Sequence, residues 1–169
     1  RIIYMVLMNL FHAPIWLYKI GRMGRPEDRH TKEERYEYIA KMDKRIIRRG
    51  RVDLVCTGVD GIPEQDGFIM FPNHQGLFDV LALFATCPRP FSVVIKKEAA
   101  ELVLVKQVLG AMRSLPMDRD DIKDQVRVIG EVTKRVKQGD NFVIFPEGHR
   151  SRNGNEILEF KSGTFKSAV

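Results

Sequence analysis

The sequence predicts a single α/β domain in which a mostly parallel central sheet is flanked by helices. From residue 52 onward, short apolar runs of strand length alternate with helix-like segments. Hydrophobic residues make up 44% of the chain and charged residues 30%, as in an ordered globular protein. A length of 169 residues is enough for one domain with a substantial core. Alternating strands and helices of this kind favour a sheet with helices on its faces.

The element boundaries follow from turn residues and from apolar periodicity. We expect strands at residues 52–57, 67–71, 91–95, 115–117 and 141–145, and helices at residues 77–86, 98–109 and 122–137. Pro88 and Pro90 end the first of these helices, and Gly139 caps the last one.

Residues 1–50 are predicted to form a membrane-associating helical segment and linker ahead of the α/β domain at residues 51–169. Residues 2–20 are strongly apolar, but Asn9 and His12 interrupt them and Pro14 is expected to kink them. The stretch is marginal as a membrane span, which needs about 20 mostly apolar residues. We favour a helix at the bilayer interface, and a soluble core helix is the alternative.

A second helix is predicted to begin after this apolar stretch. Thr31, followed three residues later by Glu34, forms a capping-box pattern. The apolar face of this helix is composed of Tyr36, Ile39, Met42, Ile46 and Ile47. Its basic residues either form a solvated face or rest on anionic headgroups.

The net charge of +6 indicates anionic partners. No basic stripe or base-stacking aromatic motif supports nucleic-acid binding, so we expect no nucleic-acid partner. Cys56 and Cys87 are far apart and lack metal-ligand spacing, and burial in a reducing compartment explains them better than a disulfide does. No metal site is predicted.

Three polar stretches follow predicted strands, at residues 73–79, 116–119 and 145–151. Ligands bind at the carboxyl ends of strands in open α/β sheets, so the three loops are expected to converge on one crevice. His74 is suited to proton transfer, and Asp79 can hold its tautomer. Residues five apart meet only if His74 lies in a turn and Asp79 lies at the start of a helix. The alternative is a surface loop that happens to contain both.

Arginines at two of these strand ends suggest a phosphorylated substrate. A guanidinium group matches phosphate oxygens with two parallel hydrogen bonds. Arg119, Arg150 and Lys161 are therefore candidate anion binders. Taken singly, each arginine is better explained as an exposed charge or as the ion-pair partner of Asp118, Asp120 or Glu147.

The same stretches resemble the conserved blocks of the glycerolipid acyltransferases, specifically of the lysophosphatidic acid acyltransferase type. Residues 73–79 resemble the NHxxxxD block, and residues 145–151 resemble the FPEGTRS block. Residues 110–119 resemble the GxxFIDR block, and residues 160–163 resemble the FKxG run. The resemblance covers about residues 50–169 in matching order.

The resemblance implies acyl transfer from a thioester to a lysophospholipid hydroxyl, with His74 as general base and Asp79 orienting it. It places Glu147, Gly148 and Arg150 in the acceptor site, with Arg119 and Lys161 on the phosphate. It also implies that Asn73, directly before the base, binds substrate and that Lys96 lies near the thioester. It implies no cofactor, an acyl-CoA or acyl-carrier-protein donor, and a location on the cytoplasmic face of the cell membrane.

The chain departs from the family pattern at three places. His149 replaces the usual threonine, Pro116-Met117 replaces Phe-Ile, and the chain stops before the fourth block, so we expect truncation at the C-terminal end. Glycerol 3-phosphate or another lysophospholipid is the alternative acceptor. A non-catalytic basic module that binds membrane surfaces is the alternative function.

Overall fold

The computed structural model describes residues 2–76, 78–151 and 156–168. Its centre is a sheet of four parallel strands, so the predicted fold class is confirmed. The strands are β1 (Ile69–Met70), β2 (Ser92–Lys96), β3 (Leu115–Met117) and β4 (Phe142–Val143), arranged in the order β1-β4-β2-β3. The last strand in sequence therefore lies inside the sheet, where Phe142 pairs with Ile69 on one side and with Ser92 on the other.

Helices cover both faces of the sheet. They are α1 (Ile2–Asn9), α2 (Ala13–Met23), α3 (Lys32–Arg49), α4 (Phe78–Thr86), α5 (Val105–Ala111) and α6 (Ile122–Lys137). Phe142 and Ile144 pack with Val128 and Val132 of α6 on one face. Val143 and Phe145 face the opposite way, into a larger core that α1 to α5 complete. This alternation is the period-two pattern of a strand buried on both faces.

Local end signals placed two helices correctly. The capping box of α3 is present, because the Thr31 hydroxyl accepts a hydrogen bond from the Glu34 amide and the Glu34 carboxylate accepts one from the Thr31 amide. The predicted limits of α6 are those observed, and Gly139 follows it with φ +91°. The Gly139 amide donates to the Val136 carbonyl, as in a helix end closed by a left-handed residue.

Two predicted elements were wrong. Residues 52–58 are irregular rather than a strand, and Val55 is 87% exposed. A strand needs a neighbour for its backbone groups, and none of the described strands pairs with this segment. The predicted helix at residues 98–109 is broken into a single turn, Ala99–Glu101, and α5. Leu104 adopts φ +70° between them, and this conformation cannot continue a helix.

The remaining differences are small. The strands predicted at residues 67–71 and 141–145 are present but shorter, and Leu77, the first residue of the predicted helix at residues 77–86, lies outside the described residues. Both cysteines are free. Cys87 is buried as expected, whereas Cys56 is exposed because it lies in the irregular segment.

The apolar N-terminal stretch forms two helices rather than one. The break at residues 10–12 comes just before Pro14, which occupies the first turn of α2. No helix in the described part of the chain is long and apolar enough to cross a bilayer alone, whereas α1 and α2 together meet that requirement but are bent by 85°. Trp16, Ile20 and Met5 join the same buried core as Ile39 of α3. The boundary at residue 50 between the N-terminal segment and the α/β domain remains a prediction.

Candidate active site

His74 and Asp79 meet in the turn between β1 and α4, as their spacing predicted. Asp79 Oδ2 lies 2.7 Å from His74 Nδ1. The same oxygen accepts hydrogen bonds from the amides of Gln75 at 2.7 Å and Gly76 at 2.9 Å. A single carboxylate oxygen in the first turn of α4 therefore orders both the turn and the imidazole ring.

The contact with Asp79 selects one tautomer of His74. A carboxylate only accepts hydrogen bonds, so Nδ1 carries the ring proton and Nε2 retains its lone pair. The ring lies 4.3 Å from the ring of Phe145, measured between centroids, and the His74 side chain is 20% exposed. This arrangement leaves Nε2 as the atom that can accept a proton from a bound molecule.

Glu147 holds the backbone around His74. The residue is only 1% exposed, and its Oε1 accepts a hydrogen bond from the His74 amide at 2.6 Å. Its Oε2 accepts from the Leu158 amide at 3.2 Å. The His74 carbonyl in turn accepts from the Ser151 amide at 2.9 Å. The loop after β4 is therefore hydrogen-bonded to both the amide and the carbonyl of His74. Sequence reasoning did not assign this structural contact to Glu147.

Gly148 occupies a position that suits only glycine. Its φ is +76°, and a Cβ atom there would lie 3.0 Å from Cε of Lys161. The Lys161 amide donates to the Pro146 carbonyl at 2.9 Å, which fixes this lysine beside the loop. The side chain of Lys161 therefore lies across the Gly148 backbone.

We expect Gly148→Ala to displace the Lys161 side chain and to strain the backbone. Left-handed φ costs a non-glycine residue about 1 kcal/mol or more. The measurement is the free energy of unfolding in denaturant, with Gly130→Ala as the control, because a Cβ at Gly130, inside α6, meets open space. A Gly148→Ala variant as stable as the wild type would contradict this account.

An apolar cavity of about 730 Å³ opens beside His74. Side chains of α3, α4, β2 and α5 form its apolar wall, among them Ile39, Met42, Ile46, Leu81, Phe84, Val93 and Val108. Its polar groups include His74, Lys96, Arg119, His149 and Arg150. A cavity of this size, with few polar groups beside a histidine, suits a ligand that is mostly hydrocarbon.

A second cavity of about 930 Å³ lies on the other side of the loop after β4. It is lined by side chains of α6 and of the segment 158–166, which includes Lys161, together with Glu147 and Gly148. Val94, Arg119, Phe145, His149 and Leu158 line both cavities. Arg119 therefore stands where the two cavities meet.

Arg119 is a cation with unused hydrogen-bonding capacity. Its Nε atom is buried and has no hydrogen-bond partner among the described residues. Burial lowers the pKa of its guanidinium, and the nearby Glu98 carboxylate acts in the opposite direction. Gln125 Nε2 donates to the Arg119 carbonyl at 2.8 Å and holds the backbone in place. Such a group is available to bind an anion at the junction of the cavities.

The other predicted site residues are placed less centrally. Lys96 lines the apolar cavity, but its Nζ lies 3.3 Å from a Glu98 carboxylate oxygen. Asn73 is exposed in the turn and is not among the described residues that line either cavity. Arg150 is exposed at the edge of the apolar cavity. The described residues include no group of three or more His, Cys, Asp or Glu side chains that could hold a metal ion.

Sequence reasoning missed Asp43, a carboxyl group in the wall of the apolar cavity. It is only 4% exposed. The signal was present, since Asp43 follows Ile39 by four residues and precedes Ile47 by four, on the face of α3 assigned to the core. A lone acidic residue in such a stripe indicates either a buried ion pair or a site.

A family model described as Acyltransferase matches residues 53–169. The chain belongs to this acyltransferase family. The family assignment from the sequence is thereby confirmed, and both cavities and the His74–Asp79 pair are built largely from the matched residues of the acyltransferase domain.

Relatives and a solved structure agree with this assignment. A 1-acyl-sn-glycerol-3-phosphate acyltransferase of Borreliella burgdorferi is 29% identical over 118 residues, which are 70% of this chain and 47% of that protein. One of Helicobacter pylori is 34% identical over 91 residues, 54% of this chain and 38% of that protein. The chain thus spans less than half of these relatives.

The crystal structure of the 1-acyl-sn-glycerophosphate (LPA) acyltransferase PlsC from Thermotoga maritima matches 98% of this acyltransferase chain with a TM-score of 0.75. The match covers 66% of that protein at 23% sequence identity. At this identity the similarity establishes the fold, including α1 to α3 ahead of the residues that the family model matches.

Proposed function

We propose that this acyltransferase domain moves an acyl chain from a thioester to the free hydroxyl of 1-acylglycerol 3-phosphate, giving phosphatidic acid. His74 Nε2 takes the hydroxyl proton as the substrate oxygen attacks the thioester carbonyl. The C–S bond then breaks, and the imidazolium returns the proton to the departing thiolate. Asp79 stabilises the imidazolium form, so the substrate hydroxyl takes the place of the serine in a Ser-His-Asp triad.

The observation that carries this proposal is the position of the His74–Asp79 pair between an apolar cavity and an available arginine. The pair is oriented with Nδ1 on Asp79, which leaves Nε2 as the proton acceptor. The cavity beside it suits an acyl chain. Arg119 lies at the junction of that cavity with a second one, where it can bind the acceptor phosphate.

Further cations support the same assignment of substrates. Lys161 lines the second cavity and Arg150 lines the first, so phosphate oxygens near Arg119 are within a positively charged region. The proposed binding site for the acceptor also includes Asn73, Glu147 and Gly148. The proposed binding site for the acyl thioester includes Lys96. The donor is an acyl thioester of coenzyme A or of acyl-carrier protein, and no cofactor takes part.

The test is product formation by the full-length protein. Given 1-acylglycerol 3-phosphate and a radiolabelled acyl thioester, it should form phosphatidic acid. Monoacylglycerol, which lacks the phosphate, should be a far poorer acceptor. Absence of labelled phosphatidic acid with either type of donor would refute the proposed function.

Arg119→Ala should raise the KM for 1-acylglycerol 3-phosphate by about tenfold or more, because a hydrogen bond to a charged group contributes about 1.5–3 kcal/mol. The KM for the acyl donor should change little. Arg29→Ala is the matched control, since Arg29 is exposed and lines neither cavity. An unchanged acceptor KM in Arg119→Ala would remove Arg119 from the phosphate site.

We also propose that the first two helices associate with the membrane surface, on its cytoplasmic face. Large apolar side chains of this region are exposed, including Ile3, Val6, Leu7, Leu10, Phe11, Ile15 and Tyr18. Several large apolar side chains exposed on one segment are typical of an interaction site. Lys19 and Arg22, near the end of α2, add positive charge suited to anionic headgroups.

Phe11→Asp should weaken binding of the full-length protein to anionic lipid vesicles by about tenfold or more, because it removes a large apolar group and adds a negative charge. Phe11 is 89% exposed, so the fold should be unaffected. Val55→Asp is a matched control on an equally exposed apolar residue outside α1 and α2. Equal loss of vesicle co-sedimentation in both variants would contradict the proposal that α1 and α2 form the membrane-binding surface.

A further inference from the structure

Asp43 is a buried acid inside the apolar cavity. It lies on α3 with Ile39, Met42 and Ile46, and Phe84 of α4 lines the same cavity. Its Oδ2 atom is fully buried and has no hydrogen-bond partner among the described residues. An unpaired buried carboxyl group destabilises a protein, because its hydration is lost without compensation, so its presence in a cavity wall requires an explanation.

The surroundings of Asp43 keep its carboxyl group neutral. Burial raises the pKa of Asp43 to about 8, so the protonated form predominates at neutral pH. Tyr36, two helical turns away on α3, does not serve as its partner, since its hydroxyl donates to the Cys87 carbonyl at 3.0 Å. A neutral carboxyl group has one hydrogen to donate and a carbonyl oxygen to accept with.

We propose that Asp43 is a specificity-determining residue that binds a hydroxyl group carried on the acyl chain in the apolar cavity. This inference rests on the proposed function, in which that cavity receives the acyl chain. The ligand class is an acyl chain with a hydroxyl substituent, and Asp43 supplies the polar contact for it on the α3 wall.

A hydroxyl group fits this site better than the alternatives. It can donate to the carboxyl oxygen and accept from the carboxyl hydrogen, so both partners are satisfied. An unsubstituted chain would cover Asp43 and leave its carboxyl group without a hydrogen-bond partner. The desolvation penalty of such an unpaired group is larger than the net stabilisation that a typical hydrogen bond provides. A charged amine would have to give up its hydration among Ile39, Ile46 and Phe84. Sites built to bind a substrate hydroxyl discriminate strongly against the analogue that lacks it.

The test is competition between acyl thioesters of equal length in one reaction mixture with the full-length protein. The donors differ only in a single hydroxyl group, placed at successive carbons along the chain. We expect the wild type to prefer the hydroxylated donor about tenfold or more in kcat/KM, at one position or two adjacent positions. A preference spread evenly over all positions would reflect donor solubility and would overturn the proposal.

Variants of Asp43 connect the preference to this side chain. Asp43→Leu, of similar shape, should abolish the preference and speed transfer of the unsubstituted chain, whereas Asp43→Asn should keep most of it. Met42→Leu is the control, because Met42 lines the same cavity without a polar group. A preference that survives Asp43→Leu, or one that Met42→Leu also abolishes, would overturn the proposal.

Binding without turnover separates this inference from the proposed function. Free fatty acids with and without the hydroxyl group can displace a fluorescent fatty acid from the wild type and from Asp43→Leu. Discrimination by the wild type alone supports the role of Asp43 even if no acyl transfer occurs. Equal displacement by both acids, together with normal phosphatidic acid synthesis, would overturn the role of Asp43 and leave the proposed function standing.

Discussion

Replacing His74 with alanine in the full-length protein should lower kcat for phosphatidic acid synthesis by about 10²–10⁴-fold, the usual contribution of a general base. The KM for both substrates should change little, since the lost group acts on the hydroxyl proton rather than on the phosphate or the chain. The reason is structural. The Asp79 carboxylate lies 2.7 Å from Nδ1 and leaves Nε2 as the proton acceptor at the cavity.

The chain contains a matched control for this variant. His30 and Asp28 form a similar pair, with Nδ1 and a carboxylate oxygen 2.6 Å apart, but His30 lines neither cavity. His30→Ala should therefore leave kcat within about twofold of the wild type. The measurement is initial rate at saturating substrate for both variants, after circular dichroism shows that each is folded. Equal rates in wild type and His74→Ala would exclude His74 as the base.

Replacing Glu147 with glutamine should lower kcat by about 10–100-fold, although Glu147 touches no reacting atom. Its two oxygens accept from the amides of His74 and Leu158, and glutamine offers one oxygen and an NH₂ group that would face a donor. Leaving a buried donor unpaired costs about 1–3 kcal/mol. The free energy of unfolding should therefore fall as well, and the His74 loop should lose its fixed position.

The readout that separates positioning from acceptor binding is the division between kcat and KM. A positioning role lowers kcat with every acceptor and leaves the acceptor KM within about threefold. A direct role in the acceptor site raises that KM. Glu159→Gln is the control, because Glu159 lines the second cavity but is exposed. A Glu147→Gln variant with normal kcat and normal stability would contradict the contact described.

Features encoded within a few residues were predictable. The limits of α6 and the capping box of α3 depend on side chains and backbone groups at most three or four positions apart. The contact between His74 and Asp79 was predictable for the same reason, because a strand–turn–helix junction is the one local geometry that joins residues at that spacing. Apolar runs likewise indicated all four strands of the described sheet to within two residues at each end.

Features that depend on a distant neighbour were predicted poorly. The apolar run at residues 52–57 has strand composition, but strand formation requires a partner that the described sheet does not provide. The helix predicted at residues 98–109 continues through Leu102 and Val103, which are exposed in the structure, so their apolar character did not indicate burial. Composition alone does not reveal which apolar residues find a surface to pack against.

The sequence was sufficient to determine the α/β class, the acyltransferase family and the pairing of His74 with Asp79, because each depends on local order along the chain. The tertiary structure alone decided where Glu147 and Asp43 lie and what surrounds them. Glu147 reaches an amide 73 positions away in sequence, and Asp43 becomes a buried polar group only when α3 closes over the cavity. Contacts of this range are set by the packing of helices on the sheet, which no local pattern records.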